Sequence, residues 1–304
     1  VATLYWISTS STSFNTAGNW STGAAPSNGD TVIFNYLGTA NCSTNLGTSL
    51  TTVTLIVEKS YTGTIGSISG ATWTYLVLDG GTLHYHPTTG QGSPSGSPQV
   101  LVGFGSTAAV VNVYDSASTS SAVYYPPLLV KGTSLTLNHS GGSVGIGTEP
   151  GVASTLTAAN VIQGSGSISP KLYIGDNVTT TALTANAGEI LSRTNVTVAA
   201  ATISGSAKYT YLGTGAHTTL TIGDGGVVTH QGTGAIATLN VTGTFDRTKD
   251  TRAITLGGTA FNIYKGARLL LDNGKASSIT RSNKSFLGCS IQDLEITLPV
   301  GEQF

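Results

Sequence analysis

Apolar positions along this chain fall in short runs, and the residues between them have the chemistry of turns. One phrase recurs: an apolar strand, a Gly/Asp/Asn turn, then another strand. It occurs at Leu76-Val77-Leu78-Asp79-Gly80-Gly81, Ile174-Gly175-Asp176-Asn177, Ile222-Gly223-Asp224-Gly225-Gly226 and Leu271-Asp272-Asn273-Gly274. Asp, Asn and Gly supply the positive φ angles that tight turns require. Within the runs Val, Ile and Leu alternate with Thr and Ser, the pattern of a strand with one face buried. No window sustains a 3.6-residue period, so helices are not expected. Even residues 152–161 (VASTLTAANV), the least strand-like stretch, are predicted to be extended.

Strand centres recur near Ile174, Val198, Leu220, Leu239 and Leu256, at spacings of 24, 22, 19 and 17 residues. Periods of this size mark solenoids. A single coil of short strands cannot bury its inner face, but stacked coils enclose a continuous column of Val, Ile and Leu. The expected fold is therefore all-β: an irregular right-handed parallel β-helix, with a β-sandwich as the structural alternative. Residues 1–60 depart from the phrase and carry Trp6, Phe14, Trp20, Phe34 and Tyr36. They are read as an aromatic-rich cap over the open end of the solenoid, and residues 61–304 as its elongated body. Trp6, Trp20 and Phe34 are the structural centre of that cap. Residues 87–98 (PTTGQGSPSGSP) read as a loop, and Tyr124-Tyr125-Pro126-Pro127 as a second break.

Composition removes several function classes. Charged residues make up 9% of the 304, against about 25% in ordinary soluble domains. The 39% hydrophobic content and net charge of −1 exclude a disordered polyampholyte. Thirteen basic residues balance fourteen acidic ones, which leaves no excess for binding nucleic acid. No apolar run is long enough for a membrane-spanning helix, so no membrane insertion is expected. Two cysteines, Cys42 and Cys289, are too few and too distant for a disulfide framework and read as buried free thiols. Basic residues concentrate near the C-terminus, where Arg247, Arg252, Arg268 and Arg281 form a candidate interface for an acidic partner or a neighbouring subunit.

The opening segment has its own grammar: Tyr5-Trp6-Ile7, Asn15, Asn19-Trp20-Ser21, Pro26, then Asp30-Thr31-Val32-Ile33-Phe34. It resembles the start of phage virion-associated β-helix proteins, with Tyr-Trp, Asn-Trp-Ser and Pro-x-x-x-Asp-x-Val-x-Phe in that order. It is also similar to the opening of secreted autotransporter-associated β-repeat proteins. The matching motif covers about 35 residues, and beyond it only the Thr/Gly-rich style is shared. The resemblance implies a non-catalytic structural protein: a capsid decoration, fibre or tail-associated subunit on the virion surface. An exported bacterial surface or filament protein, or an adhesin, is the alternative. Val1 by itself fits either a trimmed initiator Met or a cleaved signal peptide; Tyr5-Trp6 stands close to it, as in the phage group, and that resemblance implies the former. Implied partners are other copies of the chain, in a trimer by analogy with phage spikes, a capsid, tail or surface-assembly protein, and a glycan.

Chemistry-bearing clusters are sparse. His84 and His86 project from one strand face at i, i+2, a spacing that two metal-binding imidazoles can use, and are weak metal candidates. His139, His217 and His230 are isolated in sequence. Most acids occupy turns, where a carboxylate serves its own backbone. Asp293 and Glu295 share a strand face and would be the carboxylate pair of a carbohydrate-active enzyme, a distant third reading. No nucleophile elbow, phosphate loop or dinucleotide fingerprint occurs, so no catalytic residue and no cofactor are expected.

Overall fold

The computed structural model describes residues 1–47, 50–86, 98–114, 126–165, 169–250, 252, 254–271, 278–279, 284–287 and 295–297. Strands hold 51% of the chain and helix 1%. Two long parallel sheets account for nearly all of the strands, one of 14 and one of 12. From Leu76–Asp79 to Ser278–Ile279 successive strands alternate between the two sheets, so each of these coils contributes one strand to each. The chain is thus an all-β parallel solenoid. Its cross-section also shows why a sandwich was a reasonable alternative: two sheets face each other across one core. Parallel pairing from coil to coil distinguishes the two.

The register explains the sequence pattern. In the 14-stranded first sheet Leu55, Leu83, Val111, Leu137, Ala159, Leu183, Ala201, Leu220, Leu239 and Phe261 lie in one column. All ten are buried in a single apolar cluster that runs from Leu4 to Leu271. The expected column of strand centres is corrected here. Ile174 ends a strand of the second sheet, Lys171–Ile174, and the column passes through Leu183 and Ala201 instead. Both strands of a coil are similarly apolar, so one-dimensional spacing does not tell the two sheets apart. The turns fall where the Gly/Asp/Asn phrases place them. Gly80, Gly81, Asn177 and Gly225 have positive φ, while residues 272–274 lie outside the described residues. The stretch expected to be extended contains the strand Ser154–Val161.

The opening segment both begins the solenoid and closes its end. Thr3–Tyr5 and Thr31–Phe34 pair in parallel and continue into Thr54–Val57, so residues 1–60 carry the first strands of the first sheet. Trp6 and Trp20 pack edge to face at 5.1 Å, and both contact Phe34. Their indole N–H groups donate to the Ala40 and Phe14 carbonyls, which satisfies the only polar atom each ring buries. The backbone of edge residue Tyr5 is paired with Ser21, and Ile7 donates to the Asn19 carbonyl. The edge from Tyr5 to Ile7 is therefore met by the chain's own residues 19–21. An antiparallel hairpin, Ser67–Ser69 with Thr72–Thr74, breaks the parallel pattern. It lays Ile68 and Trp73 against Tyr75, Leu101 and Leu129, a small second core outside the second sheet.

Candidate functional site

The histidine pair leads to the most organised polar surface among the described residues. His84 ends no hydrogen-bond ladder of its own: register aligns it with Asn112, Asn138 and Asn160 on successive strands of the first sheet. Asn138 donates from Nδ2 to Asn112 Oδ1 at 2.9 Å, and Asn160 donates to Asn138 Oδ1 at 3.0 Å. The same column resumes as Thr221, Asn240 and Asn262, joined at 3.1 and 2.8 Å. Each amide inside such a ladder uses one donor and one acceptor and keeps further capacity for a ligand.

Tyr114 stands beside this ladder, two residues along the strand direction from Asn112. Its hydroxyl lies 2.7 Å from His84 Nδ1, and the His86 ring stacks on it at 4.4 Å and 9°. One face of the tyrosine is thereby covered. The His86 imidazole is held below its ordinary range, first by burial and then by the neighbouring His84, with Glu58 opposing. Both histidines are half-buried, and the pair read as weak metal candidates braces an aromatic ring. Among the described residues no three His, Cys, Asp or Glu side chains converge as a metal site would require.

Beyond Tyr114 the surface opens into a groove of about 260 Å³. Its lining includes Asn112, Tyr114, Asn138, Ser140, Asn160 and Ile162. Large, small and large side chains succeed one another here, since Tyr114, Ser140 and Ile162 follow register partners Val113, His139 and Val161. Small Ser140 leaves a slot between the tyrosine ring and Ile162, which is 48% exposed. Sequence reasoning missed this groove. Its signal was the apolar-Asn-apolar triplet, at Val111-Asn112-Val113, Leu137-Asn138-His139 and Ala159-Asn160-Val161.

The proposed basic interface needs correction. The Arg247 side chain is 1% exposed. It follows His230 in the inward column of the second sheet and donates to the His230 and Gly232 carbonyls, with its Nη1 2.8 Å from His230 Nδ1. A group so placed cannot meet an acidic partner. The physical reason is register: the strand Thr244–Asp246 ends one residue earlier, with Phe245 inward and Asp246 outward, and Arg247 turns back in. Arg252 is more exposed and closes on Asp250 at 2.7 Å. Arg268 is exposed on the second sheet, and Arg281 lies outside the described residues. His217 and His230, isolated in sequence, are brought together with ring centroids 6.0 Å apart. Cys42 is buried with its thiol pushed far up by burial, and Cys289 and Asp293 lie outside the described residues. Glu295 begins the strand Glu295–Thr297, paired with Arg268. No described helix is long and apolar enough to cross a membrane. No family model, curated protein or solved structure matches the chain.

Proposed function

We propose that this chain is a non-catalytic structural subunit carried on the outside of a phage virion, as a capsid decoration, fibre or tail-associated protein. The observation that carries this reading is one apolar core enclosed from Leu4 to Leu271, with an outer surface rich in hydroxyls and amides among the described residues. Such a body is stiff along its axis, because every coil is hydrogen-bonded to the next and buries its neighbour. Rigidity and exposure, more than a deep cleft, are what a surface subunit needs. The Tyr-Trp and Asn-Trp-Ser segment, whose aromatic rings close the first coil, supports the same assignment through its resemblance to virion-associated proteins.

The chain works as an assembled subunit, a homotrimer or a repeated unit docked on the particle. Sparse charge makes lateral contact cheap, since few ions must be desolvated. Cyclic closure then avoids an open-ended fibre. Mass spectrometry of purified particles, with immunogold labelling, tests the assignment, and labelled particles are expected. If the chain is recovered from a cell surface or culture fluid and never from particles, the exported-filament alternative replaces it. Light scattering at several concentrations should give a mass above that of the 30.8 kDa chain.

A further inference from the structure

None of the described residues that line the groove beside Tyr114 is Lys, Arg, Asp or Glu. Asn112, Asn138 and Asn160 line it with amides, Ser140 forms its floor and Ile162 its far wall. Register spaces these groups by successive strands, about 4.8 Å apart, so the slot from Tyr114 to Ile162 spans two strand steps, roughly 10 Å. Three features then coincide. An aromatic ring is stacked on one side by His86, and small Ser140 lies on the next strand in the same groove. A fixed row of amides carries spare donors and acceptors. An exposed aliphatic side chain closes the slot opposite the ring.

We infer that this groove binds a neutral oligosaccharide, one sugar ring lying against Tyr114 and its hydroxyls meeting the Asn138 and Asn160 amides. A pyranose has just this duality: an apolar C–H face that packs on an aromatic ring, and a rim of hydroxyls that both donate and accept. Pockets of this class combine an aromatic platform with a few placed polar groups. Asn is suited to the task because it donates and accepts through one planar group. The described lining residues offer amides, a hydroxyl and an aromatic ring, groups that suit a neutral ligand. The His84 contact to the Tyr114 hydroxyl holds the ring upright before a ligand arrives, which lowers the ordering cost of binding.

The inference gives a ligand class to the surface protein proposed above, yet it can be tested without any particle. Purified full-length chain is applied to a microarray of neutral and charged oligosaccharides, and the hits are titrated by calorimetry. At least one neutral glucan, mannan, galactan or chitin oligomer should bind. Tyr114→Ala and Ser140→Leu, which remove the platform and fill the slot, should each weaken it by about tenfold or more, while Tyr114→Phe keeps most of the affinity. Thermal melting of each variant checks folding, and Asn160→Ala provides a solvent-exposed variant should another be unstable. Binding of charged oligosaccharides only, no binding at all, or undiminished binding by folded Ser140→Leu would overturn the inference. Particle labelling decides the structural proposal separately.

Discussion

Individual side chains here are governed by whether they point between the sheets or out of them. The aromatic residues of the opening segment are the clearest case, since Trp6, Trp20 and Phe34 are buried while Tyr36 on the same segment is 69% exposed. Arg247 is the most consequential residue of the inward set. Its guanidinium sits 3.8 Å from the Asp250 carboxylate and hydrogen-bonds to backbone carbonyls, which replaces its water shell with fixed acceptors. Removing one partner of such a buried group leaves the others unpaired, at a cost of about 3–5 kcal/mol. Arg247→Ala should therefore lower the urea midpoint strongly. Arg268→Ala, at an exposed position, is expected to change stability by less than about 0.5 kcal/mol. Equal effects of the two substitutions would contradict the inward placement of Arg247.

At the level of the coil, the turns are as ordered as the strands, because each turn stacks on the one before it. Gly213 and Gly232 occupy equivalent positions one coil apart, as do Gly215 and Gly234. A Cβ on Gly232 would overlap the Gly213 carbonyl oxygen, and one on Gly234 the Gly215 oxygen. Backbone on both sides cannot retreat without opening the coil. Gly232→Ala is expected to destabilise the protein by about 1–3 kcal/mol, the range for overpacking. Gly18→Ala, where nothing lies within 4 Å of the added methyl, serves as the control and should be near neutral. Differential scanning calorimetry of the two variants reads this difference directly. The amide ladder shows the same repetition on the outer face, with side chains linking strand to strand as the backbone does.

Across the whole molecule, three histidines stand in columns that are otherwise mostly apolar. His139 follows Val113 and precedes Val161, and His217 precedes Ile236. Burial lowers His139 and His217 from 6.5 to about 4. Burial also lowers His230, helped by His217 and Arg247 and opposed by Asp250. A folded-state value below the unfolded one means that the unfolded chain takes up protons first. The neutral rings contribute fully above about pH 6.5, and that stability is lost as pH falls from there toward 4. At pH 4 and below the loss approaches about 3 kcal/mol for each of His139 and His217. Urea midpoints at pH 7.5, 5.5 and 4.5 should fall in that order, and His217→Phe should flatten the trend. Hydrogen exchange at pH 5 should quicken most in His217–Ile222 and Val227–His230, where the two titrating rings lie together and His230 lies beside Arg247. A midpoint that is unchanged between pH 7.5 and 4.5 would show that these rings are hydrated in the fold.

What the sequence determined by itself was local. Alternation of Val, Ile and Leu with Thr fixed the strands, and Asp, Asn and Gly fixed the turns at Gly80, Asn177 and Gly225, because both depend on neighbours a few residues away. The aromatic spacing in the first 40 residues likewise announced a buried cluster. Coil membership was not legible, since strands of the two sheets share one alphabet and only pairing sorts Ile174 from Leu183. The inward turn of Arg247 was hidden for a related reason: charge alone predicts exposure, and burial is offset by acceptors that include the Gly232 and His230 carbonyls and the Asp250 carboxylate. The groove is the furthest from sequence. Tyr114, Ser140 and Ile162 are separated by 26 and 22 residues, and the slot between them exists only because parallel register sets them one coil apart.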